Sequence, residues 1–159
     1  MYKLLFVCTG NICRSPTAEA VMRRLVEESG WEDEIFVDSA GTSGYHSGDC
    51  PDARSIDCAD RHGLDLRSLR SRPVCADDFA EFDLILAMDE QNVWSLEQKR
   101  PCGDPRYQKA KIRKLLEYAP EYGENVPDPY YHNGFDYVFE MIETACRRLL
   151  LSINSGKNQ

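Results

Sequence analysis

Apolar and polar positions vary along the chain in patterns that predict strands and helices in turn. An apolar run over residues 2–7 predicts a first strand, and residues 34–39 predict a second. Between them, apolar residues recur every three or four positions after Pro16, which predicts a helix that Ser15 caps and Gly30 ends. Because strand, helix and strand follow one another, we expect a parallel sheet covered by helices on both faces.

The downstream pattern continues this alternation. It predicts a polar loop over 41–51, helices over 51–61, 76–81, 90–98 and 135–151, a buried strand over 83–88 and a frayed tail over 152–159. Residues 111–116 fit either a last strand or a turn of helix, since so short a run does not show its period. The pattern contains no repeat or linker, so residues 1–159 are expected to form a single domain.

Composition and charge narrow the class of protein. The chain has 159 residues, 42% of them hydrophobic, a formal net charge of −8 and a pI of about 4.9. That charge would repel a phosphodiester backbone, so nucleic acid is not an expected partner. Seven cysteines without a signal-like or membrane-spanning apolar run predict reduced thiols in the cytoplasm and no membrane partner. The cysteines and histidines show no zinc-ligand spacing, and no metal is expected.

The most informative stretch follows the first predicted strand and reads Cys8-Thr9-Gly10-Asn11-Ile12-Cys13-Arg14-Ser15-Pro16. Its Cys-x5-Arg-Ser spacing before a helix predicts a loop whose backbone N–H groups surround a tetrahedral anion. Cys8 would lie at the floor of this loop and Arg14 at its rim, where positive charge favours a thiolate. We therefore expect a phosphate held against a nucleophile, at the carboxyl end of a strand where such sheets bind ligands.

Together with a downstream segment, Asp128-Pro129-Tyr130-Tyr131, this stretch resembles the low-molecular-weight protein tyrosine phosphatase family. The resemblance covers nearly the whole chain and includes residues 37–45, 61–63 and 87–89. It implies a three-layer α/β/α fold with a four-stranded parallel sheet in the flavodoxin-like order 2-1-3-4, with residues 111–116 as the last strand. It also implies hydrolysis of phosphotyrosine through a phosphocysteine intermediate, with no metal and no cofactor.

The resemblance implies roles for individual residues. Cys8 would be the nucleophile, Arg14 would clamp the phosphoryl oxygens, and Asp128 would act as general acid and then as general base. The phosphate-binding loop would comprise Thr9, Gly10, Asn11, Ile12, Cys13 and Arg14. Support for that loop would come from Asn11, Ser15 and Ser39. The substrate pocket would be formed by Thr9, Ile12, Tyr45, Tyr130 and Tyr131.

Two features of the expected site stay open at the level of sequence. Cys13 is either a small filler of the loop or a thiol that forms a disulfide with oxidised Cys8, as the resemblance suggests. Many family members carry a loop-supporting histidine shortly after the segment that corresponds to residues 63–66, whereas residues 67–70 contain none. This departure leaves the support of the loop open.

Two alternative functions fit parts of the pattern. A thiol-dependent arsenate reductase of the same fold needs a relay pair spaced Cys-x6-Cys, which the chain lacks. A non-enzymatic phosphate-binding module would be expected to lose Cys8 or Asp128, and both are present. We therefore expect an enzyme that acts on phosphotyrosine-containing proteins, with inorganic phosphate and other oxyanions as inhibitors. A monomer is expected, with weak self-association left open.

Overall fold

Four parallel strands form the centre of the fold in the computed structural model, which describes residues 1–157. They are β1 (Tyr2–Cys8), β2 (Ile35–Gly41), β3 (Leu84–Ala87) and β4 (Lys111–Lys114). Their order across the sheet is β2-β1-β3-β4, and every neighbouring pair is parallel. The four-stranded sheet and the order 2-1-3-4 expected from the resemblance are thus confirmed.

Helices cover both faces of this sheet. They are α1 (Arg14–Glu28), α2 (Ala53–Arg61), α3 (Ala76–Glu81), α4 (Glu90–Lys99), α5 (Pro129–His132) and α6 (Phe135–Lys157). Short 3₁₀ turns cover Pro105–Gln108, Leu115–Tyr118 and Pro120–Tyr122. Residues 111–116 contain both structures that the sequence left open, because β4 ends at Lys114 and a 3₁₀ turn begins at Leu115. Over residues 1–157, none of the helices is long and apolar enough to cross a membrane.

The central strand β1 buries alternate side chains on the two faces of the sheet. Leu4 and Phe6 pack into the core formed with α1 and α6, whereas Leu5 and Val7 pack into the core formed with α3 and α4. All four side chains are fully buried. Burial on both faces explains why this strand is a continuous apolar run in the sequence rather than an alternating one.

The carboxyl-terminal helix is longer than the sequence pattern predicts. The pattern ends this helix at residue 151 and leaves a frayed tail, but α6 continues to Lys157. The prediction of a frayed tail was wrong for residues 152–157, because Ile153 is only 9% exposed and belongs to the core that contains β1 and α1. Packing of this side chain stabilises a turn of helix that propensity alone would not hold. Residues 158–159 of the predicted tail lie outside the described residues.

The start of α1 also differs from the prediction. Ser15 was expected as its N-cap, but the helix begins at Arg14, and Cys13 occupies the cap position without a side-chain cap. The Ser15 hydroxyl oxygen lies 3.0 Å from the sulfur of Cys8. The reason is that the loop after β1 leads directly into the helix, which brings the first helical turn beneath the loop. Ser15 therefore contacts the loop rather than the free N–H groups of the helix end.

Sheet topology places the loop after β1 between its neighbours. Cys8 at the end of β1 is in register with Gly41 of β2, and Val7 is in register with Ala87 of β3. The carboxyl ends of three adjacent parallel strands therefore meet around the Cys8 loop. In open sheets of this kind, that edge is where ligands bind.

Candidate active site

The loop that is predicted to bind phosphate lies at the carboxyl end of β1. Cys8 is buried there, and its sulfur accepts a hydrogen bond from the backbone N–H of Asn11 at 3.3 Å. Asn11 has a φ of 57°, in the left-handed region that asparagine tolerates better than most residues. This conformation turns the N–H of Asn11 toward the sulfur. A donor in that position, with the Ser15 hydroxyl beside it, stabilises negative charge on the sulfur.

A chain of buried hydrogen bonds supports the loop. The side-chain amide of Asn11 donates to the hydroxyl oxygens of Ser15 at 2.7 Å and of Ser39 at 3.0 Å. Ser39 donates to a carboxylate oxygen of Glu19 at 2.6 Å, and Glu19 pairs with Arg23 at 2.6 Å. The three residues predicted to support the loop are therefore brought together by the fold.

Glu19 is part of this network although the sequence analysis did not single it out. Burial raises the pKa of its carboxyl group, while the Ser39 hydroxyl and Arg23 favour its charged form. The available signal was its position one helical turn after Ser15, which places both side chains on the same face of α1.

The segment after α2 supports the loop without a histidine. The Ser71 hydroxyl donates to the backbone carbonyl of Gly10 at 2.9 Å. The backbone N–H of Arg72 donates to the side-chain oxygen of Asn11 at 3.0 Å, and the Arg72 guanidinium is anchored by an ion pair with Asp78 at 3.0 Å. Two residues slightly further along the chain therefore contact the loop, although residues 67–70 contain no histidine.

Arg14 is almost fully buried, with 2% of its surface exposed. One guanidinium nitrogen, Nη1, donates to Asp89 at 2.6 Å and to the backbone carbonyl of Val126 at 2.9 Å. The other, Nη2, lies 3.5 Å from Thr9 Oγ1 and from Asp128 Oδ2, at the limit of hydrogen bonding. Burial opposes the charge of Arg14, but the neighbouring thiol and carboxylates outweigh it and raise its pKa. Nη1 is an anchor, whereas Nη2 remains available to a ligand.

The start of α4 holds Arg14 and Thr9 in place from the side of β3. One carboxylate oxygen of Asp89 caps the helix by accepting the N–H of Asn92 at 2.8 Å, and the other binds Arg14. Asn92 is fully buried, and its amide donates to the Thr9 hydroxyl at 3.1 Å. An aspartate directly after a buried strand is a sequence signal for such a position, whereas nothing in the pattern marked Asn92.

Asp128 lies beside Arg14 although it follows that residue by 114 positions in the chain. One of its carboxylate oxygens accepts the N–H of Tyr130 at 3.1 Å and so caps α5. The other oxygen is the one that approaches Arg14. With 29% of the side chain exposed, this carboxyl group is accessible from the cavity that it lines.

A cavity of about 400 Å³ lies over the loop, and Cys8, Arg14 and Asp128 all line it. The five predicted pocket residues line it as well: Thr9, Ile12, Tyr45, Tyr130 and Tyr131. His46, which was not predicted, adds a further ring to the wall, with its centroid 4.9 Å from that of Tyr45 and 6.4 Å from that of Tyr130. Within residues 1–157, no group of three or more His, Cys, Asp or Glu side chains is placed to hold a metal ion.

Two glycines let the loop approach its neighbours closely. A Cβ atom at Gly41 would lie 2.6 Å from the backbone oxygen of Thr9, closer than real Cβ atoms come to any neighbour. A Cβ atom at Gly10 would lie 3.1 Å from Cδ2 of His46. The end of β2 and the His46 wall therefore pack directly against the loop.

Cys13 is buried and lines the same cavity as Cys8. Burial raises the pKa of the Cys13 thiol to about 12, although a hydrogen bond with Ser55 lowers it in part. Burial likewise raises the pKa of Cys58 to about 11 and that of Cys146 further. These three cysteines are therefore protonated at neutral pH.

Comparisons with known proteins show the family of this chain. The family model for the low molecular weight phosphotyrosine protein phosphatases matches residues 3–159. The human low molecular weight phosphotyrosine protein phosphatase is 44% identical over 149 residues, which cover 92% of each chain. The low molecular weight protein-tyrosine-phosphatase YfkJ of Bacillus subtilis is 39% identical over 158 residues, 99% of each chain.

The solved structures lead to the same family. The crystal structure of YfkJ aligns with a TM-score of 0.90, covering 99% of this chain and 97% of that chain. The structure of DARP, a Drosophila arginine phosphatase, aligns with a TM-score of 0.88 at 35% identity, covering 95% of this chain and 97% of that chain. The chain therefore belongs to the low molecular weight phosphotyrosine protein phosphatase family and is a phosphatase.

Proposed function

We propose that this phosphatase hydrolyses phosphotyrosine in proteins through a phosphocysteine intermediate on Cys8. The observation that carries the proposal is the convergence of three groups on one cavity: the sulfur of Cys8, the partly free guanidinium of Arg14 and the carboxyl group of Asp128. Transfer of a phosphoryl group from an aryl phosphate needs a nucleophile, a cation beside the phosphoryl oxygens and a proton for the phenol that leaves.

In the first step, the thiolate of Cys8 attacks phosphorus while the bond from phosphorus to the phenol oxygen breaks. Asp128, protonated at this stage, gives its proton to the departing oxygen, so that a phenol and a phosphocysteine are formed. Nη2 of Arg14 and the N–H groups of the loop bind the phosphoryl oxygens as charge spreads over them. The anchor at Nη1 keeps the guanidinium in place throughout.

In the second step, water attacks the phosphorus of the phosphocysteine. Asp128, now a carboxylate, accepts a proton from this water, the bond from sulfur to phosphorus breaks, and inorganic phosphate leaves with the thiolate restored. The Ser15 hydroxyl, 3.0 Å from the sulfur, donates to the departing thiolate and stabilises it. Because phosphate is a product bound by the same loop, we expect phosphate and similar oxyanions to compete with substrate.

The walls of the cavity favour an aryl phosphate. The rings of Tyr45, His46 and Tyr130 lie near one another at its mouth, where they can pack against a phenol ring. Tyr45 and Tyr131 are 88% and 74% exposed, so the mouth opens onto the protein surface. An opening of this kind admits a tyrosine side chain that projects from a folded protein or peptide.

The free cysteines support our proposal that this reaction takes place in the cytoplasm. All seven are free thiols, as expected for a protein of the reducing cytoplasm. A catalytic thiolate in that setting is open to oxidation, and we include redox sensitivity through Cys8 and Cys13 in the proposal. We also propose that the active form is a monomer. Light scattering of the purified chain under turnover conditions tests this.

The experiment measures turnover with a metal chelator present. We expect hydrolysis of p-nitrophenyl phosphate and of a phosphotyrosine peptide but not of a phosphoserine peptide. A phosphoarginine peptide tests the activity named for the Drosophila relative. Cys8→Ser should abolish turnover because it removes the nucleophile, and Arg14→Lys should do so because a point charge cannot replace the planar fork. Near-normal activity of either variant would contradict the mechanism.

Two added measurements, of arsenate consumption and of phosphate binding, separate the two alternative functions. An arsenate reductase would consume arsenate at the expense of a thiol reductant, and a phosphate-binding module would bind phosphate without turnover. The exposed cysteines Cys50, Cys75 and Cys102 are not among the residues that line the cavity, which leaves a relay from Cys8 without a partner of this kind. We therefore expect neither of these outcomes.

A further inference from the structure

We propose that Arg54 is a positioning residue that ties the segment carrying Asp128 to the phosphate-binding loop. Arg54 lies in the first turn of α2 and is not among the residues that line the cavity. Its guanidinium lies between Asp52, whose backbone contacts the loop, and residues 130–135, which follow Asp128. The inference rests on the proposed acid role of Asp128, because it concerns how that carboxyl group is held.

Asp52, which the Arg54 guanidinium contacts on one side, is joined to the phosphate-binding loop. The backbone N–H of Asp52 donates to the carbonyl of Ile12 at 2.8 Å. The Asp52 carboxylate caps α2 through the N–H of Arg54 and accepts from Nε and Nη2 of the guanidinium at 3.0 Å each. Two parallel hydrogen bonds of this kind fix the plane of the guanidinium. The same contacts with Arg54 lower the pKa of Asp52, so the pair is charged at neutral pH.

On its other side, Arg54 contacts the segment that follows Asp128, residues 130–135, at several points. Nη2 of Arg54 donates to the backbone carbonyl of Tyr130 at 3.3 Å, and Nη1 donates to the side-chain oxygen of Asn133 at 3.4 Å. The guanidinium carbon lies 5.4 Å from the ring centroid of Tyr130 and 4.9 Å from that of Phe135, both within cation–π range. Each contact is modest, but together they hold the segment along its length.

The segment needs an external restraint because its own structure is short. Helix α5 has four residues and is followed by Asn133 and Gly134 with φ of 60° and 75°, in the left-handed region. A helix of one turn is not stable by itself. The contact from Asp128 to Arg14 is long, at 3.5 Å. The place of the Asp128 carboxyl group is therefore set by what the segment packs against.

Loss of this restraint should act on proton delivery more than on phosphate binding. The phosphoryl group is held by the loop and Arg14, and the hydrogen bonds of the Arg54 side chain go to Asp52, Tyr130 and Asn133 instead. A carboxyl group displaced by about 1 Å can lose roughly 10²-fold in rate even when the change lies away from the chemistry. The leaving group that most needs a proton should therefore suffer most.

The test compares Arg54→Ala with Arg61→Ala. Arg61 lies on the same helix and pairs with Asp136 of α6 at 2.7 Å, so its removal deletes a similar surface charge without touching residues 130–135. The measurement is the pre-steady-state burst of product release, phenol from phenyl phosphate and p-nitrophenol from p-nitrophenyl phosphate. We expect Arg54→Ala to slow the phenyl phosphate burst by about 10-fold, part of what general acid catalysis supplies, and the other burst distinctly less. Vanadate affinity should not change, and Arg61→Ala should match the wild type.

A double variant shows whether Arg54 acts through Asp128. Adding Arg54→Ala to Asp128→Ala should cost no further rate if the two residues act as one unit. Arg54→Lys, which keeps the charge and loses the planar fork, should fall between Ala and the wild type and serves if Arg54→Ala unfolds early in a thermal scan. Equal slowing of both substrates, additive losses in the double variant or wild-type behaviour of both Arg54 variants would overturn the proposal. Failure of the acid role itself looks different: Asp128→Ala alone would then slow both substrates equally, which overturns both proposals.

Discussion

The two terminal nitrogens of Arg14 have different roles, because one is anchored by the protein and the other is left for a ligand. Nη1 is held by Asp89 and by the carbonyl of Val126, while Nη2 makes only long contacts with Thr9 and Asp128. A guanidinium fixed on one side has lost most of its freedom before a ligand arrives, so less entropy is lost when it binds a phosphoryl group. Single residues of this kind determine the geometry in which the proposed chemistry occurs.

The acid role of Asp128 can be tested through the leaving group. A phenol has a pKa of about 10, so its departure from phosphotyrosine gains from a proton delivered in the transition state. Nitrophenolate leaves more readily without that proton. Asp128→Ala should therefore slow phosphoenzyme formation from phosphotyrosine by roughly 10²–10⁴-fold and from p-nitrophenyl phosphate by distinctly less. Single-turnover bursts isolate this step from hydrolysis of the intermediate, and equal losses would show that Asp128 shapes the site without donating a proton.

Oxidation of Cys8 should be reversible because Cys13 lies in the same loop. Peroxide should convert the Cys8 thiolate to a sulfenic acid, and Cys13 should then displace water from it to form a disulfide that dithiothreitol reduces. Wild-type activity should thus recover after brief peroxide treatment, whereas Cys13→Ser should lose activity permanently. Because burial raises the pKa of Cys13 to about 12, protection should strengthen as pH rises and the thiolate fraction grows. The exposed Cys50→Ser is the control, and full recovery of Cys13→Ser would remove any protective role.

At the scale of elements, two helix starts converge on the site. Helix α1 begins at Arg14 in the loop after β1, and Asp89 caps α4 directly after β3. Because β1 and β3 are adjacent and parallel, the helices that follow them begin at the same edge of the sheet. The partial positive charge at the start of α1 favours an anion there, whereas the start of α4 contributes by holding Arg14 through Asp89. Strand order, as well as residue chemistry, therefore accounts for the proposed preference for phosphate.

The final turns of α6 provide a prediction about stability. Ile153 is 9% exposed and packs in the core, whereas Leu151, two positions earlier on the same helix, is 66% exposed. Ile153→Ala should lower the free energy of unfolding by about 2–3 kcal/mol, as expected for loss of a mostly buried isoleucine. Leu151→Ala should change it by less than about 0.5 kcal/mol. Urea unfolding of both variants measures the difference, and similar values would contradict the packing of the last turns.

At the scale of the whole molecule, the acidic surface contrasts with the hydrogen-bond donors that the site offers to an anion. The formal net charge is −8, yet the floor of the cavity is built from Arg14, loop N–H groups and the start of α1. Interactions between exposed charges are screened beyond roughly 8 Å at physiological ionic strength. Donors at short range within the loop therefore govern binding of a single phosphoryl group, while the acidic surface disfavours extended polyanions.

Binding of an oxyanion should stabilise the whole fold. A ligand that binds only the folded state at 100 times its Kd contributes about 2.7 kcal/mol. For a chain of this size, that corresponds to a rise in Tm of roughly 5–10 °C. Saturating vanadate or phosphate should produce this rise in the wild type and in Cys8→Ser, whose loop N–H groups and Arg14 are intact. Arg14→Lys should show a much smaller rise, and an equal rise in that variant would contradict the role of the guanidinium fork.

The sequence by itself determined the features that depend on neighbours within one segment. The apolar run of β1, the helical spacing of α1 and the Cys-x5-Arg spacing between them involve residues close together in the chain, so local pattern was enough to predict the loop. The order of the strands in the sheet and the catalytic role of Asp128 were predicted from the family resemblance rather than from periodicity. The sheet order is confirmed, and the catalytic role of Asp128 stays a prediction.

Tertiary structure alone decided which polar side chains are paired and which apolar ones are buried. Ser15 contacts Cys8 instead of capping α1, and Ile153 extends α6 beyond its predicted end. Asn92 and Arg54 lie in unremarkable stretches of sequence, yet they contact Thr9 and the segment after Asp128. The physical reason is that a residue type shows which bonds a side chain can make, whereas its partner and its burial depend on distant segments that only folding brings together.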